Sequence, residues 1–117
     1  PLFFALDKQI RGVVVSQVVP SPSNRAIPVV REYLAAVENS DQGAGYESLE
    51  GFIAAKTLCE AVRRTGRGAN SATLARTLAG MEHYDVGGFR LNLRAGVRQA
   101  TTAIELVSIS ADGRIIR

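Results

Sequence analysis

Cysteine, histidine and tryptophan are scarce in this sequence of 117 residues, which has one cysteine (Cys59), one histidine (His83) and no tryptophan. A single cysteine excludes a disulfide within the chain. One cysteine and one distant histidine do not provide the closely spaced ligands of a metal site. A hydrolase needs a nucleophile, a base and an orienting group, and His83 lies in a turn-like segment without such neighbours. We therefore expect no catalytic residue and no metal.

Glycine-rich nucleotide loops are also missing. Gly66 and Gly68 follow a predicted helix instead of a strand, and Gly87-Gly88 precedes a predicted strand. Neither pair fits the strand-to-helix turn that cradles a phosphate group. We therefore expect no cofactor.

Long apolar runs and a strong charge imbalance are absent too. No stretch approaches the roughly 18 apolar residues of a membrane-spanning helix. The 14 basic and 11 acidic residues give a net charge of +3 that is spread along the chain, which argues against nucleic-acid binding. With 46% hydrophobic and 21% charged residues, the composition is that of a globular protein.

The length fits one domain or a piece of a larger domain. Pro1–Leu6 has no initiator methionine and lacks the basic and apolar regions of a signal peptide, and a predicted strand follows soon after. Residues 1–10 are weakly patterned and predict no element. Either a leader was removed or the chain begins inside a longer protein, and we favour the second explanation.

The first clear element is the β-branched run Val13–Val19, which ends at Pro20-Ser21-Pro22-Ser23. A continuous apolar run between breakers is typical of a strand covered on both faces, as in the parallel sheet of an α/β fold. A helix follows in which Ser23 or Asn24 is the expected cap, with Pro28 in the first turn. The apolar stripe of this helix is predicted at Ile27, Val30, Leu34 and Val37. The helix is predicted to end near Asn39.

The longest predicted helix runs from Tyr46 to Gly66, where glycine allows a left-handed cap. Counting 100° per residue predicts a buried side opposite Lys56 and Glu60. That side consists of Phe52, Ala55, Leu58, Cys59 and Val62. Cys59 is accordingly predicted to be a buried, inert thiol. Because Leu49 and Ile53 point away from this side, we expect the first half of the helix to lie between two layers.

A third helix is predicted after Asn70 or Ser71, with a core face at Leu74, Leu78 and Met81. Phe89–Leu93 alternates apolar and polar residues, as a half-exposed strand does. The tail predicts a β-hairpin of two alternating segments, 103–109 and 114–117, joined by a turn at Asp112-Gly113. The fold class is therefore α/β, with three main helices and a C-terminal β-hairpin.

Several motifs in order carry a family resemblance that covers nearly the whole chain from Gly12 onward. They are Gly12-Val13-Val14-Val15-Ser16-Gln17-Val18-Val19-Pro20, Ile27-Pro28-Val29-Val30-Arg31-Glu32-Tyr33, Tyr46-Glu47-Ser48-Leu49-Glu50-Gly51-Phe52-Ile53-Ala54-Ala55, Asp85-Val86-Gly87-Gly88-Phe89 and Asp112-Gly113-Arg114. Together they resemble the C-terminal part of the type I periplasmic binding proteins. The closest resemblance within that family is to the branched-chain amino acid (leucine/isoleucine/valine) receptors that feed ABC importers.

The resemblance implies a protein of two α/β lobes, each with a doubly wound parallel sheet, that close on a ligand. Residues 1–117 would supply elements of both lobes. The strand Val13–Val19 and the tail would belong to one lobe and the helices to the other, with a crossing near Pro20–Ser23. It also implies that the intact protein is periplasmic. The remainder of the protein would cover the exposed faces of these elements. Alternatively, copies of this chain would associate and cover them.

The same resemblance implies a non-enzymatic solute-binding protein for an amino acid or a related small amide or carboxylate, with ABC transporter membrane subunits as partners. Four positions match cleft-facing parts of the family: Gln17 and Val19 at the strand exit, and Tyr46 and Glu47 at the start of the long helix. The ring of Tyr46 would either cover an apolar group of the ligand or belong to the core. Glu47 would either pair with an ammonium group or stabilise the start of the helix. A ligand-sensing domain of a signalling or regulatory protein is the alternative, and a small enzyme is a third option.

Overall fold

The computed structural model describes residues 12–41, 43–110 and 115–116. Its elements are β1 (Val14–Gln17), α1 (Pro28–Val37), α2 (Tyr46–Thr65), a 3₁₀ turn (Gly66–Gly68), α3 (Ser71–Ala79), β2 (Tyr84–Asp85), β3 (Arg90–Leu91), β4 (Glu105–Ile109) and β5 (Ile115–Ile116). They fall into two compact units, one containing β1, β4 and β5 and the other the three helices with β2 and β3. The three predicted helices are confirmed. Residues 1–10 and the predicted Asp112-Gly113 turn lie outside the described residues.

The first unit is an antiparallel sheet with strand order β1-β4-β5. Val15 pairs with Val107 and Gln17 with Glu105, while Ser108 pairs with Ile116. The pairing of β4 with β5 confirms the C-terminal hairpin. The strand predicted over Val13–Val19 is confirmed in part: β1 covers Val14–Gln17, and its described partner β4 runs antiparallel to it. Among the described residues, Val14 is 60% exposed.

The second unit is built around one hydrophobic core. Its buried members are Val19, Val29, Val30, Tyr33, Leu49, Ile53, Val86, Phe89 and Leu91. Apart from Val19, which follows β1, they come from α1, α2 and the segment around β2 and β3. The alternation predicted from Phe89 to Leu93 holds in part, since Phe89 and Leu91 are buried and Arg90 is exposed. Only Arg90–Leu91 forms a strand, which pairs with Tyr84–Asp85.

The start of α1 is held by a glycine turn that is distant in sequence. Ile27 is the residue before the helix and makes no side-chain cap, while Pro28 occupies the first turn as predicted. The backbone N–H of Val29 donates to the carbonyl oxygen of Gly87 at 2.9 Å. Asn24 does not cap the helix, because its side-chain oxygen accepts the N–H of Ala26 in the preceding turn. The cap predicted at Ser23 or Asn24 is therefore replaced by a tertiary contact.

The buried side of α2 differs from the predicted side. Leu49, Ile53, Thr57 and Ala61 are at most 5% exposed. Leu58 and Val62 are 47% and 44% exposed, and Cys59 is exposed, so the prediction of a buried thiol is wrong. The observed buried side is less apolar than the predicted side because it includes Thr57. The hydroxyl of Thr57 donates to the carbonyl oxygen of Ile53 at 2.7 Å, which satisfies it within the helix and allows its burial.

The ends of α2 and α3 follow the predicted signals. Gly66 ends α2 with a φ of 73°, in the region that glycine adopts without strain. The side chain of Asn70 accepts the N–H groups of Ala72 and Thr73, which confirms it as the cap of α3. Local chemistry was sufficient to predict both boundaries.

A buried tyrosine connects α1 with the start of α2. Tyr33 is fully buried, and its ring meets that of Phe52 edge-on at a centroid distance of 5.8 Å. Its hydroxyl accepts the N–H of Gly45 at 2.8 Å and lies 2.5 Å from the hydroxyl of Ser48. On the outside, Lys56 of α2 forms an ion pair with Glu32 of α1. The hydroxyl of Tyr33 thus supplies a buried acceptor that the residue before α2 needs.

Gly88→Ala is expected to destabilise the chain by roughly 2–4 kcal/mol, because it combines backbone strain with a clash. Gly88 has a φ of +79°, and a Cβ would lie 2.9 Å from Cδ of Pro28. Gly96→Ala is the matched control, since Gly96 has a φ of +83° with no atom within 4 Å of a Cβ. Strain alone should cost that variant about 1 kcal/mol. Equal losses in urea unfolding would contradict the close contact with Pro28.

Tyr33→Phe should lower the free energy of unfolding by about 1–3 kcal/mol, since it removes a buried partner of the Gly45 N–H. Tyr46→Phe is the control, because the hydroxyl of Tyr46 is buried and no described residue forms a hydrogen bond with it. Removal of that group should change the stability by no more than about 0.5 kcal/mol or increase it. A larger loss for Tyr46→Phe than for Tyr33→Phe, measured by urea unfolding, would refute this assignment.

Candidate functional site

The start of α2 carries two of the four predicted ligand-binding residues, Tyr46 and Glu47. Its position is set by the preceding residue, Gly45, whose N–H is bound by Tyr33 and whose backbone also contacts the hydroxyl of Ser48 at 3.2 Å. Glu47 is exposed in the first turn, near the positive end of the helix dipole. This carboxylate is therefore held on a rigid element and remains accessible to a cationic group.

Tyr46 combines a packed ring with an unsatisfied polar group. The ring is partly buried and packs against the core of the second unit. Its hydroxyl is buried and has no hydrogen-bond partner among the described residues. A buried hydroxyl without a partner costs free energy, and such groups are uncommon in folded proteins. The structure therefore gives Tyr46 a core contact and leaves its hydroxyl able to accept or donate one hydrogen bond.

The other two predicted residues lie on either side of the boundary between the units. Gln17 is half-buried at the end of β1 and pairs with Glu105 of β4. One carboxylate oxygen of Glu105 is buried and finds no hydrogen-bond partner in the ranges that the structure describes. Val19 is 7% exposed and belongs to the core against which Tyr46 packs. The structure thus places Val19, Tyr46 and Glu47 in the second unit and Gln17 in the first.

Two other acidic groups already have partners within the chain. Hydrogen bonds from Arg63 and Arg64 lower the pKa of Glu60 to about 2. The backbone N–H groups of Gly87 and Gly88 lower the pKa of Asp85, whose carboxylate accepts them at 2.8 and 2.5 Å. Both carboxylates are held ionised by local donors, so neither suits the role of a general acid near neutral pH.

His83 is exposed in a turn with a φ of 52°. Within the described ranges, no group of three or more histidine, cysteine, aspartate or glutamate side chains could hold a metal ion. None of the described helices is both long and apolar enough to span a membrane. The arrangement at the start of α2 suits noncovalent binding of a polar or cationic group.

Sequence reasoning missed Tyr33, Ser48 and Glu105. The spacing Gly45-x-x-Ser48 could have suggested the contact at the helix start, because a polar side chain three residues after a cap commonly reaches back to it. No local spacing pointed to Tyr33, since its hydrogen-bond partners Gly45 and Ser48 are 12 and 15 residues away in the sequence. The position of Glu105 beside Gln17 can be inferred only once the register of β1 with β4 is known.

Neither the protein-family models nor the curated proteins give a match to this chain. Three solved structures do. A substrate-binding periplasmic protein from Ralstonia solanacearum is 34% identical, with a TM-score of 0.79 over 92% of this chain and 32% of its own. A possible leucine/isoleucine/valine-binding protein from Rhodopirellula baltica SH 1 is 30% identical, with a TM-score of 0.81 over 99% of this chain and 32% of its own.

The third structure is an extracellular ligand-binding receptor from Verminephrobacter eiseniae, which is 29% identical with a TM-score of 0.77 over 93% of this chain and 32% of its own. All three are described as binding proteins or receptors, not as enzymes. This chain spans 32% of the length of each. The identity and the shared fold over nearly the whole chain show that it belongs to the type I periplasmic binding proteins.

Proposed function

We propose that this chain is part of an extracytoplasmic solute-binding protein that holds a small polar ligand between two lobes and delivers it to an ABC importer. The observation that carries the proposal is the similarity to a substrate-binding periplasmic protein, 34% identical over 92% of this chain. The division of the described elements into two compact units supports an origin in both lobes. The ligand class we propose is an amino acid of the branched-chain type or a related small amide or carboxylate.

The proposed ligand contacts come from the start of α2 and the end of β1. Glu47 would pair with the ammonium group of an amino acid, because its carboxylate is exposed and fixed in the first helical turn. Tyr46 would offer its hydroxyl, which lacks a partner in the described part of the chain. Gln17, at the end of β1, is a further proposed contact, and Val19 belongs to the core against which Tyr46 packs.

A ligand-sensing domain is the second candidate. It is favoured by the similarity to an extracellular ligand-binding receptor. Both candidates require binding of a small molecule, and they differ in what the complete protein is attached to. A lipid anchor or signal peptide upstream supports transport, whereas a transmembrane segment leading into a signalling module supports sensing.

Binding can be tested by titrating the complete protein with a panel of free amino acids, their amides and short carboxylates in a calorimeter. We expect saturable binding of at least one amino acid, and higher affinity for aliphatic than for charged side chains. The melting temperature should rise with the concentration of the bound ligand, because binding to the folded state alone stabilises it. No saturable response to any member of the panel would refute the proposal.

Glu47→Gln should weaken the binding of an amino acid by about 10-fold or more, since it removes one charge-assisted contact with the ammonium group. The matched control is Glu50→Gln, one turn further along the same helix and also exposed. That change should leave the dissociation constant within about two-fold. If both variants bind like the unchanged protein while the panel still shows binding, Glu47 is not a ligand contact.

A further inference from the structure

The hydroxyl groups of Tyr33 and Ser48 form a closed ring of hydrogen bonds with the backbone of Gly45. The N–H of Gly45 donates to the Tyr33 hydroxyl at 2.8 Å and to the Ser48 hydroxyl at 3.2 Å. The two hydroxyl oxygens lie 2.5 Å apart, and Ser48 donates to the carbonyl oxygen of Gly45 at 3.2 Å. With the Ser48 proton on that carbonyl, the Tyr33 proton lies on Ser48, and each proton of the ring has an acceptor. Side chains therefore hold both backbone groups of Gly45.

Tyr33 is the member of this ring that is fixed from outside α2. It is fully buried in the core and belongs to α1, and its aromatic ring meets Phe52 edge-on at a centroid distance of 5.8 Å. A packed aromatic ring cannot change its rotamer without opening the core. Ser48, by contrast, moves with the helix that it caps. The position of Gly45 is therefore referred to the core by the Tyr33 hydroxyl.

The carboxylate of Glu47 lies beside the glycine that this ring holds. A Cβ on Gly45 would be 3.6 Å from Oε2 of Glu47 and 3.8 Å from Oγ of Ser48. Gly45 also accepts the N–H of Leu49 at 3.0 Å, the bond that opens the helix. A displacement of Gly45 consequently moves the first turn of α2 and the Glu47 carboxylate together. A charge-assisted hydrogen bond is short and directional, so a shift of about 1 Å weakens it.

We propose that Tyr33 is a positioning residue for ligand binding, which holds the carboxylate of Glu47 in place through Gly45. The inference rests on the proposed function, in which Glu47 pairs with the ammonium group of an amino acid. Tyr33 is itself fully buried, so it acts on the ligand only through the residues that it holds. Ser48 supports the same glycine through the longer of the two bonds to its N–H.

Tyr33→Phe in the complete protein tests the proposal, with leucine as the probe in a calorimeter. The variant should raise the dissociation constant about 5- to 10-fold, because Gly45 then keeps only the longer of its two bonds. Asn70→Ala is the control, since loss of the α3 cap also destabilises the fold but lies about 30 Å along α2 from Gly45. The control should leave the dissociation constant within about two-fold. Both variants are measured well below their melting temperatures.

The same substitution in a Glu47→Gln background separates positioning from a general loosening of the fold. There Tyr33→Phe should change the dissociation constant for leucine by no more than about two-fold, because the carboxylate that it positions is gone. Equal factors in the two backgrounds would overturn the proposal. So would a Tyr33→Phe variant that binds leucine like the unchanged protein.

Ser48→Ala gives a second, independent variant of the ring. It removes the longer bond and should weaken leucine binding by only about two-fold, whereas the double variant with Tyr33→Phe should lose more than the product of the two single factors. A larger loss for Ser48→Ala than for Tyr33→Phe would overturn the proposal, since Tyr33 would then not be the residue that holds Gly45. Failure of leucine to bind the unchanged protein would instead refute the ligand class proposed above, and this inference with it.

Discussion

The hydroxyl of Tyr33 is the contact on which the start of α2 depends. It accepts the N–H of Gly45 and lies beside Ser48, while its ring packs on Phe52. The first N–H groups of a helix have no acceptor within the helix, so a buried helix start needs one from elsewhere. Here the N–H of Gly45 has two acceptors, the hydroxyl of Tyr33 in α1 at 2.8 Å and that of Ser48 in α2 at 3.2 Å. The orientation of Glu47 in the first turn therefore depends on a side chain one helix away.

The start of α1 is satisfied in a similar way. The carbonyl oxygen of Gly87 accepts the N–H of Val29, and the turn that presents it is closed by the carboxylate of Asp85. A Cβ on Gly88 would collide with the ring of Pro28, so the turn packs closely on the first helical residues. Both helices thus begin at tertiary contacts, and neither depends on the usual side-chain cap. This couples the glycine turn, α1 and the start of α2 within the second unit.

The elements with local causes were predictable, and the faces that pack were not. Asn70 caps α3 and Gly66 ends α2 as their chemistry predicts, because both effects act within a few residues. The buried side of α2 was predicted on the wrong side, since two apolar surfaces compete and helical periodicity does not rank them. Thr57 becomes part of the core only because its hydroxyl bonds to Ile53 in the same helix. For the candidate site, Tyr46 and Glu47 could be named from the family motif, but the unpaired hydroxyl and the role of Tyr33 could not.

By itself, the sequence determined the three helices, the C-terminal hairpin and the family, because helix caps, glycine turns and ordered motifs are local signals. Only the tertiary structure decided that β1 runs antiparallel to β4 and that Gln17 faces Glu105, since strand pairing joins residues about 90 positions apart. It also decided which side of α2 meets the core. The physical reason is that burial is a property of the whole fold, and a residue pattern states only which sides are able to be buried.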